Sequence, residues 1–207
     1  LAAAAADGVW EAVERRRWGA AAATIGAGLA LGIALSFDWF GVSATRRPAE
    51  DYWTLGNAAK FRGEHEEAVA RYREALARRP EYADAWNSIG EARMAAGRAA
   101  EAVAPLERAV VAAETTPSER PGLPLYLNNL GVALELTGDL AGAERAYRRV
   151  LAIAPDHALA WSNLGDVARK ADRPEEAMAH YRRALALAPG REAARRGLLE
   201  AEQIGRA

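Results

Sequence analysis

The chain has 207 residues, 51% apolar and 27% charged, which is the composition of an ordered protein roughly one and a half typical domains long. Its 27 basic and 28 acidic side chains nearly cancel, so there is no electrostatic footprint for a polyanion and no nucleic-acid partner is expected. Cysteine is absent, which excludes disulfides, thiolate metal sites and cysteine nucleophiles.

Leu1 is not an initiator methionine, and the true start is expected upstream of it. Residues 1–17 read as a juxtamembrane segment with a short helix over Asp7–Arg17. Asp7 is its N-cap, and Glu11 and Arg15 form an i,i+4 pair. Trp18 to Phe37 gives 20 consecutive uncharged positions, about 30 Å of helix and so about one hydrocarbon core. Arg15, Arg16 and Arg17 precede the stretch, and Asp38, Trp39 and Phe40 follow it, with aromatics where interfacial rings sit. A transmembrane helix is therefore expected over 18–42 and a tether over 43–48.

Two alternatives stand beside the anchor. Eleven of the 20 residues are Ala or Gly, which would suit a buried soluble helix, although the segment has no polar face. Val42-Ser43-Ala44 would suit signal-peptide cleavage. Small residues recur every fourth position at Ala20, Thr24, Gly28, Gly32 and Ser36, a stripe on which another membrane helix could pack. Three arginines before the stretch against two after it, Arg46 and Arg47, place the N-terminus in the cytoplasm and the remainder outside it, in the periplasm. The margin is one residue, and the opposite orientation would leave the remainder cytoplasmic.

From residue 49 the sequence repeats with a period of 34, the length of a helix–turn–helix solenoid unit. The first unit carries Tyr52, Leu55, Gly56, Gly63, Ala68, Tyr72, Ala75 and Pro80. The second answers with Trp86, Ile89, Gly90, Gly97, Ala102, Leu106 and Ala109, with Glu114 where the proline would stand. Pro117 to Leu123 interrupts the phase and is expected as a longer surface loop, either a tolerated insertion or a partner contact. The third unit then gives Leu127, Leu130, Gly131, Gly138, Ala143, Tyr147, Val150 and Pro155, and the fourth Trp161, Leu164, Gly165, Asp172, Ala177, Tyr181, Ala184 and Pro189. Units are expected at 49–82, 83–116, 124–157 and 158–191. A capping helix follows over 192–207, with Ala194, Leu198 and Leu199 inward.

Each repeated position has a physical reason. The glycine after the Leu or Ile removes a Cβ where a neighbouring helix must come close. The second glycine stands at the inter-helix turn, where positive φ is cheap, and Asp172 replaces it in the fourth unit. The alanines fit beneath the paired helix, and the prolines end the second helices. One unit cannot cover its own apolar face, so stacking makes the core.

No catalytic constellation, cofactor motif or metal-ligand spacing is present. His65, His157 and His180 are far apart, and Glu64, Glu66 and Glu67 beside His65 suit the acidic start of a helix, as do Glu175 and Glu176. A non-enzymatic protein without cofactors is expected.

Four in-phase copies over residues 49–191 resemble the tetratricopeptide repeat family. The resemblance implies an all-α, right-handed solenoid of four helix pairs whose first helices line a groove for a partner's peptide or helix. The groove positions it implies are Trp53, Asn57, Lys60 and Phe61, then Asn87, Glu91 and Met94. Asn128, Asn129, Val132 and Glu135 follow from the third unit, and Ser162, Asn163, Asp166 and Arg169 from the fourth. Asn57, Asn87, Asn128 and Asn163 are expected as solvent-facing amides that clamp a peptide backbone with little regard to its sequence. Relatives that grip a partner's C-terminal carboxylates use spread Lys and Arg; here those places hold Trp53, Asn57, Asn87 and Ser88 with Lys60 alone, so that mode is not expected. The combined reading is a membrane-anchored scaffold or assembly factor that binds a protein, with a permanent subunit of a membrane complex, held by its transmembrane helix, as the alternative.

Overall fold

The computed structural model describes residues 48–206. The juxtamembrane helix, the transmembrane helix expected over 18–42 and its stripe from Ala20 to Ser36 lie outside the described residues. Among the described residues the chain forms four helix pairs, a 3-10 turn and a last helix, with no strand. The pairs are α1 (Ala49–Phe61) with α2 (His65–Leu76), α3 (Ala83–Ala95) with α4 (Ala99–Thr115), α5 (Leu123–Leu136) with α6 (Leu140–Ile153), and α7 (Ala158–Lys170) with α8 (Pro174–Leu187). The last helix, α9, runs Glu192–Ile204.

The turns within the pairs are set by backbone chemistry. Gly63, Gly97 and Gly138 have φ of 79°, 73° and 87°, and Asp172 fills the fourth turn at φ 56°. That conformation costs an L-residue with a Cβ about 1 kcal/mol or more, least for Asn and Asp. The prolines act as expected: α2, α6 and α8 stop short of Pro80, Pro155 and Pro189. Where Glu114 replaces the proline, α4 runs on through it to Thr115 and is the longest of the described helices.

Packing follows the repeated glycines. A Cβ on Gly56, Gly131 or Gly165 would stand 2.4–2.5 Å from the ring of Tyr72, Tyr147 or Tyr181 on the paired helix, and one on Gly90 would stand 2.4 Å from Leu106. All four of those side chains are fully buried, as are Ala68, Ala102, Ala143 and Ala177 beside them. Consecutive pairs share apolar clusters. Val69, Tyr72, Tyr82 and Ile89 join the first two pairs, and Leu106, Leu127, Leu130 and Val150 join the second and third. Each first helix also touches the next one, so α1, α3, α5 and α7 form one row.

Two expectations need correction. The Pro117–Leu123 segment is not a free loop: it holds the 3-10 turn Arg120–Gly122, and α5 already begins at its last residue, Leu123. Leu123 packs on the central apolar cluster, while Glu119 accepts the Ala83 N–H at the start of α3 and lies 3.8 Å from Arg79. In α9 the inward residues are Ala194, Gly197 and Ala201, with Leu198 half-buried and Leu199 55% exposed. Gly197 comes so close to Tyr181 that a Cβ would stand 2.4 Å from its ring. This small-residue stripe lets α9 approach α8 and α7 closely, and it turns Leu199 away from them.

Candidate partner-binding groove

The row of first helices carries polar side chains that are bonded within each unit and between units. Within units, the second-helix tyrosine passes under the first-helix glycine and brings its hydroxyl to the groove. Tyr72 donates to Asn57 Oδ1 at 2.8 Å, Tyr147 to Glu135 Oε2 at 3.1 Å, and Tyr181 to Asp166 Oδ1 at 2.8 Å. Burial raises all three phenols above their ordinary pKa, Tyr72 to about 12, so they remain hydroxyl donors at neutral pH. The second unit has Leu106 here and supplies no hydroxyl. These tyrosines were missed as groove residues, yet a signal existed: a buried Tyr, unlike Phe, needs a partner for its hydroxyl.

Between units, Glu91 is a hub. Its carboxylate accepts from Lys60 Nζ of α1 at 2.6 Å, from Asn87 Nδ2 of its own helix at 3.0 Å, and from Asn129 Nδ2 of α5 at 3.1 Å. Asn129 also donates to Asn87 Oδ1 at 2.9 Å, and Asn163 of α7 donates to Asn128 Oδ1 at 3.1 Å. Trp53 reaches Ser88 with its indole N–H at 3.0 Å, and Lys170 pairs with Glu135 at 2.8 Å. Arg169 lies 3.8 Å from Asp166 and 3.4 Å from Glu200 of α9. Burial pushes the Asp166 carboxyl above its ordinary range, and the Tyr181 hydrogen bond offsets part of that shift.

The expectation of solvent-facing asparagine amides is therefore corrected at two positions. Asn87 is 4% exposed and Asn128 5%, and each is spent on an adjacent first helix. Asn57 and Asn163 remain half-buried at the surface. Ser162 is buried, and Met94 is half-buried against the central apolar cluster. The acidic helix starts also work between units. Glu66 holds the buried Arg93 of α3 at 2.6 Å and bonds Arg98, while Glu176 pairs with Arg173 at 2.7 Å and lies 3.5 Å from Arg148 of α6. His157 caps α7 by accepting the Ala160 N–H. Among the described residues no group of three or more His, Asp or Glu could hold a metal ion.

Along this row a cleft of about 470 Å³ opens where the first three units meet. Trp53, Asn57, Lys60 and Phe61 line it from α1, Asp84, Asn87, Ser88 and Glu91 from α3, and Leu125 from α5. Six of these, Trp53, Asn57, Lys60, Phe61, Asn87 and Glu91, are among the groove positions named from the resemblance. Asp84 and Leu125 were not anticipated.

A stack of helix pairs with close-approach glycines, positive-φ turns and a polar row of first helices defines a helical-repeat binding module. The tetratricopeptide repeat family model matches residues 54–118, 119–158 and 129–192, more than half of the chain, and the chain belongs to that family. Protein FlbA of Caulobacter vibrioides is 42% identical over 59 residues, which is 28% of this chain and only 10% of that protein. In fold the chain is similar to crystal structures of MamA. One has 21% identity, covers 76% of this chain and 82% of that one, and gives a TM-score of 0.66. Pseudomonas aeruginosa PilF has 20% identity, covers 76% of this chain and 69% of that one, and also gives a TM-score of 0.66.

Proposed function

We propose that this protein is a membrane-anchored, non-enzymatic scaffold that holds a partner protein along the row of its first helices. The observation that carries the binding role is the cleft at the first three units, which joins apolar walls to amide groups in a family whose members bind proteins. Anchoring rests on the uncharged stretch Trp18–Phe37 with its flanking arginines and aromatics. Among the described residues no helix is long and apolar enough to cross a membrane. The arginine asymmetry favours a cytoplasmic N-terminus with the repeats on the other side, in the periplasm.

Carbonate washing of membranes tests the anchor: the chain stays in the pellet on this reading and appears in the soluble fraction if it has no anchor. Purification from detergent-solubilised membranes tests the scaffold. Release of the partner by groove substitutions supports recognition by the repeats. Release by Gly28→Leu with Gly32→Leu, and not by groove substitutions, would instead make the protein a subunit held through its membrane helix. Recovery as a free monomer would contradict both.

A further inference from the structure

The cleft at the first three units combines two features that together specify a ligand. Its rim carries two large exposed apolar side chains, Phe61, 94% exposed at the end of α1, and Leu125, 50% exposed at the start of α5, and the half-buried Trp53 indole lines the same cleft. A phenylalanine this solvated adds little to the fold, and with the half-exposed Leu125 and the open part of the Trp53 ring at one cleft it forms a site where apolar area would be removed from water on binding. The volume, about 470 Å³, lies within the ~300–1,000 Å³ usual for ligand clefts.

The charged groups of the same cleft already have partners. Lys60 is held by Glu91 at 2.6 Å, and Glu91 accepts two amide donors besides. Asp84 accepts from the Tyr126 hydroxyl at 2.7 Å. An acidic side chain of a ligand would have to take Lys60 from Glu91, and a basic one would have to strip Glu91 of its donors. Either exchange leaves a partly desolvated charge behind. Asn57 spends its carbonyl oxygen on Tyr72 and, among the described residues, leaves its amide N–H groups for a ligand.

We infer that this cleft takes an uncharged apolar side chain, aromatic or branched aliphatic, from an extended segment of the partner, with Phe61, Leu125 and Trp53 around the anchor and Asn57 donating to the partner's backbone carbonyl. The inference rests on the groove reading and specifies its chemistry. Recognition is by apolar burial and neutral hydrogen bonds, and charge attraction has no share in it.

The test is selection of a random dodecapeptide phage library on the full chain, with no depletion on any groove variant. The enriched peptides are then synthesised and measured by fluorescence anisotropy. Enriched peptides should share one large apolar residue and lose about tenfold or more in affinity when it becomes Ala or Glu. They should lose a similar factor on Phe61→Ser and recover on Phe61→Leu, with affinity nearly independent of salt. Phe61 is solvated, so circular dichroism should show unchanged helix content. Peptides rich in acids or bases with steep salt dependence would overturn the inference. So would peptides insensitive to Phe61→Ser but sensitive to Asp166→Ala or Arg169→Ala, although the groove reading would then survive. No peptide sensitive to any groove substitution would remove both.

Discussion

Replacing Asn87 with alanine shows whether the polar row is structure or merely surface. The amide of Asn87 makes two bonds: its Nδ2 donates to Glu91 at 3.0 Å, and its Oδ1 accepts from Asn129 of the next unit at 2.9 Å. A hydrogen bond to a charged acceptor contributes about 1.5–3 kcal/mol, and a neutral one about 0.5–1.5. Three effects reduce the sum. Asn129 keeps Glu91 as a second acceptor, the Glu91 side chain is 33% exposed so water can replace part of the loss, and alanine is the better helix former by up to ~0.7 kcal/mol. The expected net loss is about 1–3 kcal/mol, or a fall of roughly 3–9 °C in Tm for a chain of this size. Thermal unfolding of the full chain followed by far-UV circular dichroism measures it. Asn129→Ala and the double variant complete a cycle whose coupling should be about 0.5–1.5 kcal/mol. A neutral or stabilising Asn87→Ala would refute the reasoning and return the amide to the role of a free surface group.

Other outcomes follow from the same geometry. Gly131→Ala places a Cβ 2.4 Å from the ring of fully buried Tyr147, so it should destabilise by about 1–3 kcal/mol despite the better helix propensity. Tyr147→Ala in the same chain should cancel most of that increment, and simple additivity in urea titrations would argue against the clash. Gly138→Ala meets nothing within 4 Å, so it tests backbone strain alone and should cost about 1 kcal/mol, whereas Asp172→Gly should be neutral or stabilising by a few tenths. The raised Asp166 carboxyl means that the folded state binds its proton more tightly than the unfolded chain. Stability should therefore decline as pH rises from about 3.9 through the raised value. Asp166→Asn, which can still accept from Tyr181, should remove that decline. Glu144 is held below its ordinary range, first by its hydrogen bond from Arg173. Its contribution is present at neutral pH and lost as pH falls through the lowered value, so Glu144→Gln should weaken the fold at pH 7 and the difference should shrink steadily on acidification, as melts at successive pH values would show.

The repeat register made the helix pairs legible because each of its positions has one local cause. Glycine at 63, 97 and 138 and aspartate at 172 fall on the four positive-φ turns, and glycine at 56, 90, 131 and 165 on the four close approaches. The groove was legible only as a set of positions. Asn87 and Asn128 were placed on the right helices, but whether an amide meets water or the next first helix depends on the distance between units. A periodicity within one unit does not contain that distance. The Tyr72, Tyr147 and Tyr181 hydroxyls were overlooked because the register treats Tyr and Leu106 as equivalent volume, whereas only the phenol must find an acceptor. The Pro117–Leu123 segment misled because proline and glycine mark turns without showing whether a turn is packed. Leu123, an apolar residue within it, was the contrary signal.

The central claim, that a partner lies along the first helices at the cleft, is tested most directly by site-specific photocrosslinking of the full chain in the cells that make it. A benzophenone amino acid at Phe61 or Leu125, both on the cleft and solvated, should give one discrete protein adduct that disappears when Asn57→Ala and Trp53→Ala are added. The same probe at Val111 or Ile153, solvated positions on the second helices, should give none. Adducts from Val111 or Ile153 with none from Phe61 or Leu125 would contradict the account and move recognition to the second helices.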